Sequence, residues 1–360
     1  MTTLRSEAVL ERTAVPERAT SAPRSRREPW FDNIKMTLIV LVVVGHSWAL
    51  LPGSRGTDWA YDFLYSWHMP AFAIITGYFS RSFAWTPKKL WSLVCTVAVP
   101  YFVFEYALAA FRDQVGGVEL HDLFSDPHWP MWYLVALFFW RLAGPAFLKL
   151  PRAASLALAT AISLLSGFVA SDTLETGRVL GFLPFFVLGL HLGTREWRQV
   201  RAPRAVPWAV AALVAVFALA RLTDSWITTD WYYYRMSYDA LGVSGVHAVL
   251  SKAGVLAIGL VGAFAMFALV PRGRSWFSTL GSATLVVYLF HGFFILLARY
   301  RGFPAWADQH LALAFVLATA SAVGVALALA APPVARRLNV AVDPLGALER
   351  KVRAKAPSSG

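Results

Sequence analysis

The chain of 360 residues contains a single cysteine, Cys95, set in an apolar stretch. One thiol excludes an intrachain disulfide framework and a cysteine-based metal site. Charge is scarce too: 15% of residues are Asp, Glu, Lys or Arg, against 57% hydrophobic. That balance is too apolar for a soluble globular protein. The eight histidines are scattered, with no His-x-x-x-His pair and no acidic calcium loop, so no metal is expected. An internal repeat is missing as well. The first thirty residues have no apolar leader core. Arg-rich and carrying Pro16, Pro23 and Pro29, they read as a flexible tail, not as a cleaved signal peptide.

What the chain has instead is long apolar runs, several of which reach the roughly 20 residues a bilayer-crossing helix needs. Ten stretches fit: 34–52, 61–80, 91–111, 131–149, 153–171, 179–194, 206–222, 247–270, 279–298 and 310–331. The sixth, with Pro184, Gly189 and Gly193, is short and expected to be irregular. The expected fold is all-α, a polytopic membrane helix bundle of about ten transmembrane helices over 31–335. A basic tail precedes it at 1–30, and a second at 336–360 is expected to lie along anionic lipid headgroups. In a soluble protein the net charge of +12 would suggest nucleic acid. Here the basic residues sit in tails and short loops, so no nucleic-acid partner is expected. With both tails inside, the inner segments hold 23 Lys and Arg and the outer segments 7, as the positive-inside rule requires. Both termini are therefore expected in the cytoplasm and the protein in the cell inner or plasma membrane.

The first apolar run carries Asp32, Lys35 and His46. Ionisable groups are expensive in hydrocarbon, so a span that keeps them tends to line a polar cavity or a reaction path. Eleven residues separate Lys35 from His46, which places them about 20° apart around a helix and about 16 Å apart along it. Asp32, three residues before Lys35, shares the stripe. As interfacial anchors and a hydrogen-bonded interior histidine, the same residues need no function. Two longer outer segments, 112–130 and 223–246, hold the remaining polar and aromatic clusters. The first has Asp113, Glu119, His121, Asp122, Asp126, His128 and Trp129. In the second, Trp226, Trp231, Tyr232, Tyr233, Tyr234 and Tyr238 accompany Asp224, Asp230 and Asp239. Such rings serve either as headgroup-level anchors or as a stacking platform for sugars.

Four separate stretches resemble one family. Asp32-Asn33-Ile34-Lys35 leading to Val44-Gly45-His46-Ser47 resembles the first helix of the membrane acyltransferase 3 family. His68-Met69-Pro70-Ala71-Phe72 through Thr76-Gly77-Tyr78-Phe79 is similar to its second helix, and Met131-Trp132-Tyr133-Leu134 to its Trp-Phe/Tyr-Leu element. Pro184-Phe185-Phe186-Val187-Leu188-Gly189 and Tyr288-Leu289-Phe290-His291 match weaker signatures. The resemblance covers about 30–335 and is nearest to the fucose 4-O-acetylase-like subgroup. It implies transfer of an acyl group, usually acetyl from cytosolic acetyl-CoA, to a hydroxyl of a glycan, glycolipid or glycosylated metabolite, bacterial envelope polysaccharide included. Acyl-CoA would be a co-substrate, with no permanently bound cofactor. Lys35 stands where the family usually has an arginine, keeping the charge without the bidentate fork. Lys88 and Lys89 replace the family's Arg-x-x-Arg pair as candidates for the CoA phosphates.

O-acylation needs a base for a poorly nucleophilic alcohol, and a neutral imidazole suits that task near pH 7. His46 is the expected general base. Asp32, about 21 Å away along the helix, is expected to pair with Lys35 at the inner mouth, and both join His46 in the expected catalytic set. Ser47, about 100° around the helix from His46, is not expected to pair with it. His68 near the outer start of the second helix, Glu105, Trp132, Tyr133 and His291 complete the expected substrate-binding set. Glu105 is a possible partner for a histidine or a sugar hydroxyl, and Gly77 for a close helix approach. Acetyl passes either directly to the acceptor or through an acyl-histidine. A competing class is a proton-coupled transporter using Lys35, His46, Glu105, Arg141, Lys252 and His291 as a polar pathway. The missing repeat and the lack of paired broken helices in the sequence weigh against it. Oligomeric state is left open.

Overall fold

A computed structural model describes residues 28–118, 124–171, 173–223 and 225–347. Glu119, His121, Asp122 and Asp224, together with 1–27 and 348–360 of the two expected tails, lie outside the described residues. Among the described residues every regular element is helical.

Helix α1 (Pro29–Trp48) begins with Pro29 in its first turn, where a missing N–H costs nothing. Helix α2 (Arg55–Ser80) opens on a reciprocal Ser54–Thr57 capping box. His68 therefore sits in the middle of α2, not near its start, because the helix begins at Arg55, ahead of the expected span. Helices α3 (Pro87–Leu93) and α4 (Val99–Gly116) join through a π-helical turn, Val94–Ala98, and a left-handed Gly117 ends the run. Then follow α5 (Trp132–Lys149), α6 (Arg152–Ser166), α7 (Thr176–Gly181) and α8 (Leu183–His191). The irregularity expected in the sixth stretch is real: α8 bends from the preceding segment by 51°. The second half of the chain contains α9 (Thr194–Val200), α10 (Ala205–Thr223), α11 (Thr229–Tyr233), α12 (Gly245–Leu269) and α13 (Trp276–Leu280). It ends with α14 (Thr284–Tyr300), α15 (Phe303–Gln309), α16 (Leu311–Ala330) and α17 (Pro332–Val342). The last helix occupies part of the segment read from sequence as a tail.

Among the described residues four helices are long and apolar enough to cross a membrane, and up to six if each bent pair counts as one span. The second bent pair, α14 with α15, turns by 62°, so broken helices are present where the sequence suggested none. Apolar side chains on α10 and α16 remain largely uncovered, with only 17% and 22% of their most apolar windows buried. An apolar surface of that extent facing outward fits lipid, and the chain is a membrane protein.

The bundle centres on α1 and α2. Helix α1 packs against α2, α13, α14 and α16, while α2 packs against α8, α10 and α12. Gly77 of α2 and Gly189 of α8 make the closest crossing. A Cβ on either would overlap a backbone carbonyl of the other helix, Phe186 or Ile74.

The chain segments sort to two ends. At one, the Asn33 side chain donates to the carbonyls of Pro271 and Gly273, Arg81 donates to Leu192, and Arg201 pairs with Glu28. At the other, Tyr61 meets Tyr233, Thr229 donates to Asp62, and Arg235 lies 3.8 Å from Glu175. Segments read from sequence as lying on one side of the membrane thus meet one another.

Candidate active site

His46 lies in the last turn of α1. Immediately before it, Gly45 leaves room for the ring of Tyr65 from α2: a Cβ there would stand 2.9 Å from Tyr65 Cε2. That approach brings the Tyr65 hydroxyl to 3.2 Å from His46 Nδ1. The other faces of the imidazole meet Trp129, with ring centroids 4.2 Å apart, and His291, stacked at 5.3 Å. Ser47 points elsewhere and donates to the Ala318 carbonyl.

The segment entering α5 holds Trp129 in place. Glu105 of α4 accepts from the backbone N–H of His128 at 2.9 Å and pairs with His128 Nδ1 at 2.5 Å, both side chains fully buried. Two residues on, the Pro130 carbonyl accepts from the Tyr288 hydroxyl of α14. Glu105 thus partners a histidine, but that histidine is His128 and neither residue lines the cavity described next.

A cavity of about 240 Å³ opens beside His46. From α2 its wall receives Tyr61, Tyr65, His68, Met69 and Phe72, which recur on one helical face. Trp129, Trp132 and Tyr133 enter from α5 and the segment before it, and Arg178, Tyr232, Tyr233 and Arg235 close the far side. His46 and Trp129 also line a second, smaller cavity of about 130 Å³, with Arg299 on its wall. His68 Nδ1 donates to the Leu64 carbonyl at 2.8 Å, and His291 Nδ1 to that of Tyr288 at 2.6 Å. Those bonds fix the tautomer of each neutral ring and leave Nε2 as its acceptor. In contrast, a hydroxyl faces His46 Nδ1, and a hydroxyl can give or take a proton. Burial holds the Tyr233 hydroxyl above its ordinary titration range, so it stays a donor.

Of the residues singled out from sequence, the structure brings His46, His68, Trp132 and Tyr133 to one cavity and stacks His291 behind His46. Lys35 and Asp32 are not there. They pair at 2.6 Å near the opposite end of α1, where Lys35 Nζ lies 5.5 Å from the Phe79 ring centroid. Phe79 in turn lines a cleft of about 160 Å³ with Ser80, Ser82, Lys89 and Arg141. Lys89 donates to the Ser82 carbonyl, and Lys88 is exposed on α3. Among the described residues no group of three or more His, Cys, Asp or Glu is arranged to hold a metal.

Sequence reasoning missed Tyr65, Arg178 and Arg235. For Tyr65 the signal was present in the Tyr61-Tyr65-His68-Phe72 spacing; the two arginines had counted only toward topology. The ring cluster of 223–246 is also less superficial than anchors would be. Trp231, Tyr232, Tyr234 and Tyr238 are buried, and Trp226 alone of the six is strongly exposed, at 66%.

A helical membrane protein with a cavity walled by histidine, tyrosine and arginine carries groups able to move protons. The acyltransferase domain that defines the acyltransferase 3 family matches residues 28–331, and the chain belongs to that family of membrane acyltransferases. Comparison with curated proteins and with solved structures returned no match.

Proposed function

We propose that the protein is an integral-membrane O-acyltransferase that moves an acyl group, most simply acetyl, from cytosolic acyl-CoA to a hydroxyl of a glycan, glycolipid or glycosylated metabolite. The observation that carries this reading is His46 at the wall of a cavity lined by histidine, tyrosine and arginine, with Tyr65 on Nδ1. In the productive tautomer Nδ1–H donates to the Tyr65 oxygen, leaving the Nε2 lone pair for the acceptor hydroxyl. Nε2 takes the hydroxyl proton as the oxygen attacks the thioester carbonyl. The C–S bond then breaks, and the imidazolium returns its proton to the departing thiolate. Direct transfer needs no acyl-enzyme; an acyl-His46 intermediate would need a second base, for which His68 and His291 are the nearby imidazoles.

The donor phosphates are assigned to the opposite end of the bundle, where Lys35, Lys89 and Arg141 gather around Phe79 and Ser80. Asp32 holds Lys35 there. Helices α2 and α5 both run between the two regions, from Phe72 and Tyr133 at the cavity to Ser80 and Arg141 at the cleft. Eight residues on each helix correspond to about 12 Å, a span that an extended pantetheine arm bridges. Ten spans with both tails cytoplasmic, in the inner or plasma membrane, place that cationic end at the donor pool. Membership of the fucose 4-O-acetylase-like subgroup belongs to the same reading, as do the folded domain at 31–335, its two basic tails and an envelope-glycan acceptor.

As a transporter the protein would need its intramembrane charges in a chain. They occur instead as separate local contacts: Asp32–Lys35, Glu105–His128, Arg141–Ser80 and Lys252–Ser166. The test is transfer of label from radiolabelled acetyl-CoA to alkali-labile ester in a crude envelope-glycan fraction, by purified protein and its His46→Ala variant. Label moving only with intact His46 supports the reading. Equal label with both proteins removes His46 from the chemistry, and no transfer from any acyl-CoA donor overturns the function.

A further inference from the structure

Among the described residues the cavity wall contains two guanidinium groups and no carboxylate. That composition is unusual for a neutral-sugar site, where Asp and Glu accept from hydroxyls. Here Arg178 and Arg235 can only donate, while the tyrosine hydroxyls give or accept and His46 and His68 offer ring nitrogens.

Arg178 is buried, and its guanidinium carbon lies 5.2 Å from the Trp132 ring and 5.5 Å from the Tyr233 ring, both part of the same wall. Glu175 pairs with it through Nη1 at 3.2 Å. Arg235 Nε approaches the other oxygen of Glu175 at 3.8 Å, and Arg235 Nη2 lies 3.7 Å from Asp126, which is half exposed. Two cations thus share one buried carboxylate that does not itself face the cavity. Glu175 and the half-exposed Asp126 fix the guanidiniums in place, and both arginines line the space that a ligand enters. Planar guanidiniums suit the paired oxygens of carboxylate and phosphate.

We propose that the acceptor is anionic: the sugar or metabolite that enters beside His46 carries a carboxylate or phosphate, which Arg178 and Arg235 bind while a hydroxyl of the same molecule faces His46. This inference rests on the acyltransferase reading for the role of the bound molecule. The binding itself is measured without turnover, so the two fail separately. An anion at this cavity also differs in place from the donor phosphates, which are assigned to Lys35, Lys89 and Arg141 at the other end of α2.

The experiment titrates purified full-length protein in detergent with three probes: methyl glucuronoside, its carboxamide, and a methyl hexoside 6-phosphate. Binding is read by calorimetry and by quenching of tryptophan emission. The charged probes are expected to bind at least about tenfold more tightly than the carboxamide, an advantage of the size that charge-assisted hydrogen bonds give. A stronger carboxylate than phosphate effect identifies a uronic-type acceptor; the reverse identifies a phosphorylated one. Arg235→Gln, at a half-exposed position, is expected to erase the advantage. The double variant Arg178→Gln, Glu175→Gln, which removes the buried pair together, is expected to do the same. Arg221→Gln alters a cation that stacks on Trp59 away from the cavity wall and keeps the preference. Equal binding of the carboxamide and the charged probes overturns the proposal. So does loss of CoA binding in Arg235→Gln with the sugar preference intact, because the two arginines would then serve the donor.

Discussion

Replacing Tyr65 with Phe isolates one hydrogen bond at the centre of the proposed chemistry. The Tyr65 hydroxyl lies 3.2 Å from His46 Nδ1, at the long end of hydrogen-bonding distance. Its loss frees the imidazole to place its proton on either nitrogen, and only one tautomer leaves Nε2 able to accept from the acceptor hydroxyl. A bond of this kind is worth about 0.5–1.5 kcal/mol net, which corresponds to roughly a two- to thirteen-fold fall in rate. His46→Ala removes the base itself and is expected to cost about 10²–10⁴. Because Tyr65 acts through His46, the double variant should be no slower than His46→Ala alone. The assay is the initial rate of label transfer from acetyl-CoA in detergent, at saturating acceptor, with thermal melting of each variant as the folding control. Two results refute the reasoning: a Tyr65→Phe enzyme as slow as His46→Ala, or losses that multiply in the double variant. Either would give the tyrosine a job of its own in the cavity.

Gly77→Ala should destabilise by about 1–3 kcal/mol or more, because the added Cβ meets the Phe186 carbonyl and backbone cannot rotate aside. A melting temperature equal to that of the parent would show that α2 and α8 do not cross there. Glu105→Ala strands a fully buried His128 and loosens the segment that carries Trp129, a change of the size seen on breaking a buried pair, about 3–5 kcal/mol. Glu105→Gln keeps an acceptor for the His128 N–H and should be milder; equal melting of both variants with the parent would contradict the role assigned to the pair. On the surface, the Arg152 guanidinium hydrogen-bonded to Glu196 holds that carboxyl below its usual range. A carboxyl depressed in the folded state contributes stability that is present above its unfolded pKa and lost as pH falls through the folded one. Arg152→Ala should therefore cost at most about 1 kcal/mol of stability at pH 7, read as a slightly lower melting temperature, and the difference should fade as the pH drops below about 4.3. A difference that persists undiminished at pH 3 would mean that Arg152 stabilises by packing alone.

Local pattern made the helices legible: each of the ten apolar stretches falls on a helix or a bent helix pair. His46 stood out for an equally local reason, since a histidine inside an apolar run demands a polar environment. His68, Trp132, Tyr133 and His291 stood out as well, but other partners that reach it from elsewhere did not. Tyr65 approaches because Gly45, one helix away, has no side chain. Arg178 and Arg235 come to the cavity through a bend before α8 and the turn after α11, which no periodicity encodes. The Asp32-Lys35-His46 stripe shows the opposite limit. Its spacing was read correctly, yet sharing a helical stripe did not mean sharing a site, because the rise along α1 separates the ion pair from the imidazole.

The same physics explains why three helices that build the cavity fall short of the composition of a membrane span. Helices α1, α2 and α5 are 20, 26 and 18 residues long, yet none is among the four most apolar spans. A polar side chain in hydrocarbon is costly unless protein or a cavity surrounds it. The helices that contribute His46, Tyr61, Tyr65, His68 and Tyr133 must therefore be covered by others. Helices α10 and α16 cover α1 and α2, packing against the α2–α12 and α1–α14 pairs while turning uncovered apolar faces outward, and α7 and α8 pack against α5. Replacing an outward residue in the middle of α10 such as Val214, 62% exposed, with a charge should thus impair insertion while leaving the cavity intact. His46→Ala should do the reverse, inserting and melting normally while losing transfer. That division between a greasy sleeve and a polar centre is what allows an imidazole to work inside a membrane.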